Sequence, residues 1–203
     1  PRVIRGGVSA RAGAPASVVG VGGGVAGFGA VRELRRRGHT GSLALVEPQG
    51  VPYDRPPLSK DYLTGETDAH RLLFAPPSWF AEHDVELVEE AAMRLTPGGA
   101  HPDGDPVPHR VELASGRVLE AEAVVLATGG RPRPLDVEGA THPDLITLRT
   151  RADADALRER LHFGAEVAVV GGGFTGAEAA SSARQALAGV TLVTATDAPA
   201  LRA

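Results

Sequence analysis

Apolar residues fall along this chain in short unbroken runs set between glycine turns and stretches of helical spacing. Ser17-Val18-Val19-Gly20-Val21, Leu43–Val46, Val124–Ala127, Val167–Val170 and Val190–Val193 are four or five residues long with no polar alternation, the pattern of strands buried on both faces. The first run passes through Gly22-Gly23-Gly24-Val25-Ala26-Gly27 into a helical stretch with Ala30, Val31 and Leu34 on one face. Arg35-Arg36-Arg37 and Gly38 close that helix before the Leu43–Val46 run. Basic residues suit the negative end of a helix and glycine suits the position beyond it, so the arginine run reads as a solvated helix end. The pattern recurs downstream as Val167–Val170, Gly171-Gly172-Gly173-Phe174-Thr175-Gly176, a helix from Ala177 to about Leu187, and Val190–Val193. The two glycine turns begin 149 residues apart, at Gly22 and Gly171, which marks a duplicated motif rather than a short-period repeat.

Between the two βαβ units the pattern is more mixed. Val51–Thr64 reads as a proline-rich loop with a short helix from about Leu58, and Ser78–Glu82 as a short helix whose Trp79 belongs to a core. Val85–Val88 is a strand. Arg110–Leu113 and Arg117–Glu120 flank Ala114-Ser115-Gly116 as a hairpin, and Asp153–Leu161 is an amphipathic helix. The predicted fold class is α/β with two Rossmann-like dinucleotide-binding units, the second incomplete. The expected organisation is a flexible N-terminal arm over 1–15, a first domain over 16–145 and a second over 146–203.

Composition narrows the function. At 42% hydrophobic and 23% charged residues, the chain matches a globular protein. No run reaches the roughly 18 apolar residues of a membrane span, and a net charge of −4 argues against nucleic acid or an anionic membrane as partner. There is no cysteine, hence no disulfide, no cysteine-held zinc or iron–sulfur cluster and no redox dithiol in this chain. The seven histidines do not cluster, so no metal site is expected. Without a targeting signal or cysteines, the expected location is the cytoplasm. Lys60 is the sole lysine among 21 basic residues.

The glycine turns carry the chemistry. In Gly22-x-Gly24-x-x-Gly27 the spacing permits a tight turn, backbone approach to a pyrophosphate and close helix–strand packing. Glu47 lies 20 residues past Gly27, at the end of the next strand, where an acid can hold a ribose hydroxyl. Gly171-x-Gly173-x-x-Gly176 repeats the pattern, but Thr194 follows its second strand and Asp197 lies three residues on. An acid there favours NAD, whereas its absence admits a 2′-phosphate, so NADH and NADPH both stay open.

Several further segments occur in order: Pro52-Tyr53-Asp54-Arg55-Pro56-Pro57-Leu58-Ser59-Lys60, Ala127-Thr128-Gly129-x-x-Pro132-Arg133, Leu148-Arg149-Thr150-x-x-Asp153-Ala154 and Gly171–Glu178. With Val21–Gly27, this series resembles the FAD-dependent pyridine nucleotide oxidoreductases, in particular the ferredoxin reductases of oxygenase systems, of the putidaredoxin and rubredoxin reductase type. The Tyr-Asp-Arg-Pro-Pro-Leu-Ser-Lys stretch is the specific part. The resemblance implies FAD in the first domain, held by Gly22, Gly24, Ala26, Gly27 and Glu47, with Arg55 and Pro56 along the cofactor and Arg55 facing its phosphates. Ala92 would pass the adenine, and Ala127, Thr128, Gly129 and Arg133 would also touch FAD. Gly171, Gly173, Phe174 and Gly176 would hold NAD(P)H. Lys60 would sit near flavin N5, with Glu178 approaching it as a buried ion pair.

The implied activity passes electrons from NAD(P)H through FAD to a small iron–sulfur ferredoxin or a rubredoxin. Lacking cysteine, the chain would send electrons directly from the flavin to that acceptor. Members of the resembled family are about twice this long, so the resemblance also implies a fragment. The alternatives are a truncated, non-catalytic dinucleotide-binding remnant, or an interaction flavoprotein of the apoptosis-inducing-factor type. Thr175 stands where the family usually carries an aliphatic residue, and His101–Pro108 reads as a lengthened turn.

Overall fold

The apolar runs become strands in the computed structural model, which describes residues 13–100 and 106–195. In chain order the elements are β1 (Ser17–Val21), α1 (Val25–Arg36), β2 (Ser42–Val46), a 3-10 turn (Pro56–Ser59), α2 (Asp61–Thr64), α3 (Ala69–Leu72), α4 (Ser78–Glu82), β3 (Val85–Val88), β4 (Ala92–Thr96), β5 (Gly99–Ala100), β6 (Pro106–Val107), β7 (His109–Leu113), β8 (Val118–Ala121), β9 (Ala123–Leu126), α5 (Arg151–Arg160), β10 (Glu166–Val170), α6 (Phe174–Gln185) and β11 (Gly189–Val193). Two compact units result: Pro1–Pro52 with Ala75–Thr128, and Tyr53–Phe74 with Gly129–Ala203, each over its described residues. The proline-rich segment after Pro52 thus groups with the second unit, although it lies within the first in sequence. Residues 1–12 of the expected arm, residues 101–105 of the expected lengthened turn, and Asp197 fall outside the described residues.

The first unit is built on an all-parallel sheet in the order β3-β2-β1-β9. Successive strand residues face opposite sides, so Val19, Val21, Ala44, Val46 and Val88 share one face. They pack against Val111, Leu113, Leu119 and Ala121 of the antiparallel sheet β4-β7-β8. On the other face, a Cβ added at Gly20 would lie 3.1 Å from Leu45 and 3.4 Å from Val31 of α1. A side chain there would press on the Leu45 and Val31 side chains by a few tenths of an ångström, so glycine eases the seating of α1. Phe28 of α1 meets Trp79 edge-on at 5.1 Å, and Trp79 stacks on His83 at 4.4 Å, consistent with the core role expected of this tryptophan. The hairpin turns at Gly116, φ +86°. β4 escaped the sequence pattern because Ala92-Met93-Arg94-Leu95-Thr96 does not alternate regularly, and its pairing with β7 shifts between Ala92 and Arg94.

The arginine run divides in two. Arg36 and Arg37 lie in solvent and pair with Glu33 at 2.6 and 2.7 Å, as a solvated helix end should. Arg35 turns inward instead. Its guanidinium donates to the carbonyls of His39 (2.6 Å), Gly41 (2.8 Å), His83 (2.7 Å) and Asp84 (2.8 Å), tying the end of α1 to the segment leading into β3. Asp84 has φ +49°, in the left-handed region that aspartate enters more readily than most non-glycine residues. Replacing Arg35 by Met is expected to lower stability by about 2 kcal/mol, because hydrogen bonds to a charged donor are lost together. Arg36→Met should leave the urea unfolding midpoint in place, and equilibrium unfolding of the two variants checks the contrast.

In the second unit, β10 and β11 pair in parallel with α6 as their crossover helix, a second βαβ motif. α6 opens at Phe174, directly after Gly173 and three residues before the sequence pattern placed it. Gly176 in the first turn masks that start, since glycine is a poor helix former. α5 likewise opens at Arg151, two residues early, because Thr150 and Asp153 form a capping box: Thr150 Oγ1 accepts the Asp153 N–H at 3.2 Å and Asp153 Oδ2 accepts the Thr150 N–H at 2.7 Å. Tyr53, Leu58, Tyr62, Leu72 and Ala154 form a small core. It is fastened by the Tyr62 hydroxyl donating to Asp155 and by the Arg151 N–H donating to Tyr53 Oη at 3.0 Å. Burial and then the Asp155 bond raise the Tyr62 hydroxyl above its usual pKa. No helix among the described residues is long and apolar enough to cross a membrane.

Candidate functional site

The three glycines of the first turn each do something different. Gly22 has φ +103°, and a Cβ there would fall 2.3 Å from the Ala127 carbonyl oxygen. At Gly27 a Cβ would fall 1.8 Å from the Gly22 carbonyl oxygen, so the first turn of α1 lies directly on the turn that precedes it. At Gly24 a Cβ would meet nothing within 4 Å. Gly24 is also the N-cap of α1, with no side-chain cap. The open space therefore faces unsatisfied helix N–H groups and the positive end of the helix dipole, which together suit an anion. Ala26 is exposed beside this opening. Buried Glu47 completes the turn, its Oε2 accepting the Gly23 N–H at 2.6 Å and its Oε1 the Gln49 N–H at 3.0 Å. A carboxylate has further acceptor positions, so hydroxyls of a sugar can still be bound there. Residues of this kind fit the pyrophosphate and ribose of a dinucleotide.

The second turn repeats this geometry. Gly171 has φ +115°, Gly173 is open to at least 4 Å, and a Cβ at Gly176 would fall 1.8 Å from the Gly171 carbonyl oxygen. Gly173 is again an N-cap without a side-chain cap, and Phe174 beside it is 63% exposed. The two turns differ at the next strand's end, where Thr194 stands in place of Glu47.

Lys60 and Glu178 are brought together from opposite ends of the second unit's sequence. Pro56 and Pro57 start the 3-10 turn that delivers Ser59 and Lys60. Lys60 Nζ lies 3.2 Å from Glu178 Oε1, and the Ser59 hydroxyl donates to Glu178 Oε2 at 2.6 Å. One helical turn on, the Ser182 hydroxyl donates to the Ser59 carbonyl at 2.8 Å. The pair is not buried as the sequence reading had it: the side chains of Lys60 and Glu178 are 47% and 31% exposed. Burial falls instead on Ser59 and Ser182. Desolvation therefore costs little, and a half-exposed pair contributes little stability by itself; the serines fix where it points. Sequence reasoning missed Ser182, whose only signal is its place four residues after Glu178 on the same helix face.

The Ser59 hydrogen bond, against burial and with help from Lys60, holds the Glu178 carboxyl below its usual pKa. A depressed carboxylate stabilises the fold above its unfolded pKa, about 4.3 for glutamate, and that contribution fades as pH falls through the lower folded value. Urea midpoints for the native protein and Glu178→Gln are thus expected to differ at pH 6–7 and to converge on acidification towards pH 3.

The remaining expected residues lie in several places. Arg55 is half-buried, while Pro56 is exposed at the head of the 3-10 turn. Ala127 follows β9, with Thr128 and Gly129 exposed beyond it and Gly129 at φ +67°. Arg133 is exposed in a stretch without regular structure. Ala92 opens β4 and packs against the first unit's core. Among the described residues no group of three metal-ligating side chains gathers. The glycine roles are separable: Gly27→Ala and Gly176→Ala should destabilise by about 3 kcal/mol or more, because backbone must move. Gly24→Ala and Gly173→Ala should stay within about 1 kcal/mol, the usual range for a changed N-cap. Thermal unfolding of the four variants distinguishes them.

Residues 16–203 match the model of the pyridine nucleotide-disulphide oxidoreductase family. Rhodocoxin reductase of Rhodococcus erythropolis is 39% identical over 189 residues, which cover 92% of this chain and 42% of that protein. The ferredoxin reductase for the CYP199A2 system of Rhodopseudomonas palustris superposes with a TM-score of 0.80 at 35% identity, over 92% of this chain and 44% of that one. The covalent putidaredoxin reductase–putidaredoxin complex gives a TM-score of 0.74 at 36% identity, over 87% and 41% of the two chains. This chain thus spans less than half the length of the relatives it matches.

Proposed function

Since this chain belongs to the pyridine nucleotide-disulphide oxidoreductase family, we propose that it forms the FAD- and NAD(P)H-binding portion of a ferredoxin-type reductase acting in the cytoplasm. Residues 16–145 take the role of FAD-binding domain and 146–203 that of NAD(P)-binding domain. The observation that carries this reading is the duplicated glycine cradle, with Glu47 at the next strand's end in one copy and Thr194 at the equivalent place in the other. Two cradles of one geometry with different sugar-facing residues suit two different dinucleotides. FAD, when bound, supplies acceptance of a hydride from the nicotinamide and release of electrons one at a time.

The chain's own residues supply position and charge. The first cradle and Glu47 hold FAD through its phosphates and ribose, with Ala26, Ala92, Ala127, Thr128 and Arg133 along it. The second cradle, with Phe174 beside it, holds the nicotinamide dinucleotide. Lys60 presents an ammonium on a stem whose direction is set by Glu178 and Ser59, and a compact ammonium is not replaced by a planar guanidinium at a tight site. With no cysteine, the chain offers no thiol as a relay, so electrons pass to an external acceptor. The acceptor proposed is a small iron–sulfur protein of the ferredoxin class, in keeping with the partner seen in the putidaredoxin reductase complex.

Purified protein is expected to bind FAD on reconstitution, seen in visible absorbance, and the bound flavin should bleach when NADH or NADPH is added anaerobically. Lys60→Met should slow that bleaching by about tenfold or more, as loss of a positioned charge does, while the unfolding midpoint changes little. FAD binding without bleaching would favour the second reading, a non-catalytic dinucleotide-binding fragment. No flavin uptake at all would overturn the assignment of the first cradle.

A further inference from the structure

We propose that Ser182 is a positioning residue for Lys60: with Ser59 it makes a two-point latch that fixes the root of the lysine on α6, the helix that opens at the second glycine cradle. The Ser59 hydroxyl donates to Glu178 Oε2 at 2.6 Å, and the Ser182 hydroxyl donates to the Ser59 carbonyl at 2.8 Å. One residue is thus held through its side chain and through its backbone, by two positions four residues apart on one helix face. A single bond would let the 3-10 turn pivot on α6, and two bonds prevent it. Both serines are buried. A buried hydroxyl without a partner is costly, and each of these has one.

Alanine would suit α6 better at this place. The other buried residues of the helix are Ala179, Ala180 and Ala183, and serine inside a helix is less favourable than alanine. A mid-helix serine commonly turns back to the carbonyl four residues before it. The Ser182 hydroxyl reaches across to another element instead, while its neighbour Ser181 is exposed. The carbonyl it holds is the one that bears on Lys60. The peptide joining Ser59 to Lys60 is planar, so its carbonyl oxygen, its N–H and the Lys60 Cα move together. Ser182 holds the oxygen, and the Pro57 carbonyl accepts the Lys60 N–H at 3.0 Å. On the far side the Lys60 carbonyl accepts the Thr64 N–H at 3.0 Å as α2 begins. The flexible lysine stem therefore starts from a fixed plane and ends 3.2 Å from Glu178 Oε1, which narrows the space its ammonium samples. Gly173 is the N-cap of α6, and Glu178 and Ser182 lie about 7.5 and 13.5 Å along the axis from it. One rigid element thus sets the second cradle and the lysine relative to each other.

The latch deepens the reductase reading and rests on it for the consequence in turnover, while its geometry is tested without any cofactor. The Ser59 hydroxyl is the main reason the Glu178 carboxyl lies below its usual pKa, so that carboxyl is the probe. Its titration is followed by carbon NMR in the native protein, Ser59→Ala, Ser182→Ala and Ser182→Thr. Ser59→Ala removes the bond and is expected to raise the value toward the ordinary glutamate range. Ser182→Ala should raise it part of the way, because the unpinned turn lets the Ser59 hydroxyl drift. Ser182→Thr, which keeps the hydroxyl, should bring it back. After reconstitution with FAD, Ser182→Ala should slow anaerobic bleaching by NADH or NADPH about fivefold, as a small misplacement of a working group does. The half-saturating concentration should stay within about twofold of native, as for an interaction that binding does not use. Should Ser182→Ala not fold, Ser182→Cys, with a weaker donor of similar size, takes its place. A native protein that takes up no flavin removes the reductase reading and leaves the titration to decide the latch. A Glu178 titration in Ser182→Ala equal to the native one overturns the latch, and so does a Ser182→Thr variant that behaves as Ser182→Ala. Bleaching as fast in Ser182→Ala as in the native protein overturns the positioning role.

Discussion

Everything in both units follows from how closely a helix can approach the turn that precedes it. In each βαβ motif a Cβ on the third glycine would sit 1.8 Å from the carbonyl oxygen of the first, far inside any contact real atoms allow. Glycine at that position lets the helix lie on the strand's end, and this closeness aims the uncapped N–H groups at the space above Gly24 or Gly173. Strand and helix then share a core: β1 and β2 pack under α1 through Gly20, Leu45 and Val31, while β10 and β11 are bridged by α6. A phosphate-binding turn is in this sense a by-product of tight packing, and the same three residues serve stability and function at once.

The Lys60 site shows a different economy. A lysine and a glutamate in contact at a half-exposed position yield little energy, so their pairing does not explain why the Tyr53–Phe74 segment joins the second unit. The buried contacts around them do. Ser182 grips the Ser59 carbonyl, the Tyr62 hydroxyl binds Asp155, and Tyr53 receives the first N–H of α5. Around them Leu58, Leu72 and Ala154 exclude water. Apolar burial and these hydrogen bonds hold the segment in place, and the Lys60–Glu178 pair rides on that frame with its direction set and its ends accessible.

Much of this was legible in the order of residues. The apolar runs located β1, β2, β9, β10 and β11 to within a residue or so, but only β1 and β2 are buried almost throughout, while β9, β10 and β11, expected to be buried on both faces, leave Leu126, Val170 and Val193 exposed. Gly22, Gly24 and Gly27 with Glu47 identified a cradle because Gly22 and Gly27 admit no side chain, while Gly24 leaves the space before the helix open. Less legible were features that depend on a partner distant in sequence. Thr150 with Asp153 starts α5 two residues before its apolar pattern begins, and β4 exists only because β7 pairs with it despite a register shift. Arg35 looks like Arg36 and Arg37 in sequence, yet it alone reaches four carbonyls.

The sequence by itself determined the local events: where strands and helices lie, which turns need glycine, and that a lone lysine follows a Pro-Pro-Leu-Ser stretch. These are governed by sterics and periodicity within a few residues, and neighbours along the chain suffice to decide them. Only the tertiary structure decided that Ser59 and Ser182 carry the burial while Lys60 and Glu178 stay half in solvent. It alone decided that Tyr53 receives the Arg151 N–H at the start of α5, and that the Tyr53–Phe74 segment leaves the unit that surrounds it in sequence. Those outcomes depend on which distant surfaces exclude water together, a quantity that belongs to the folded chain and to no short stretch of it.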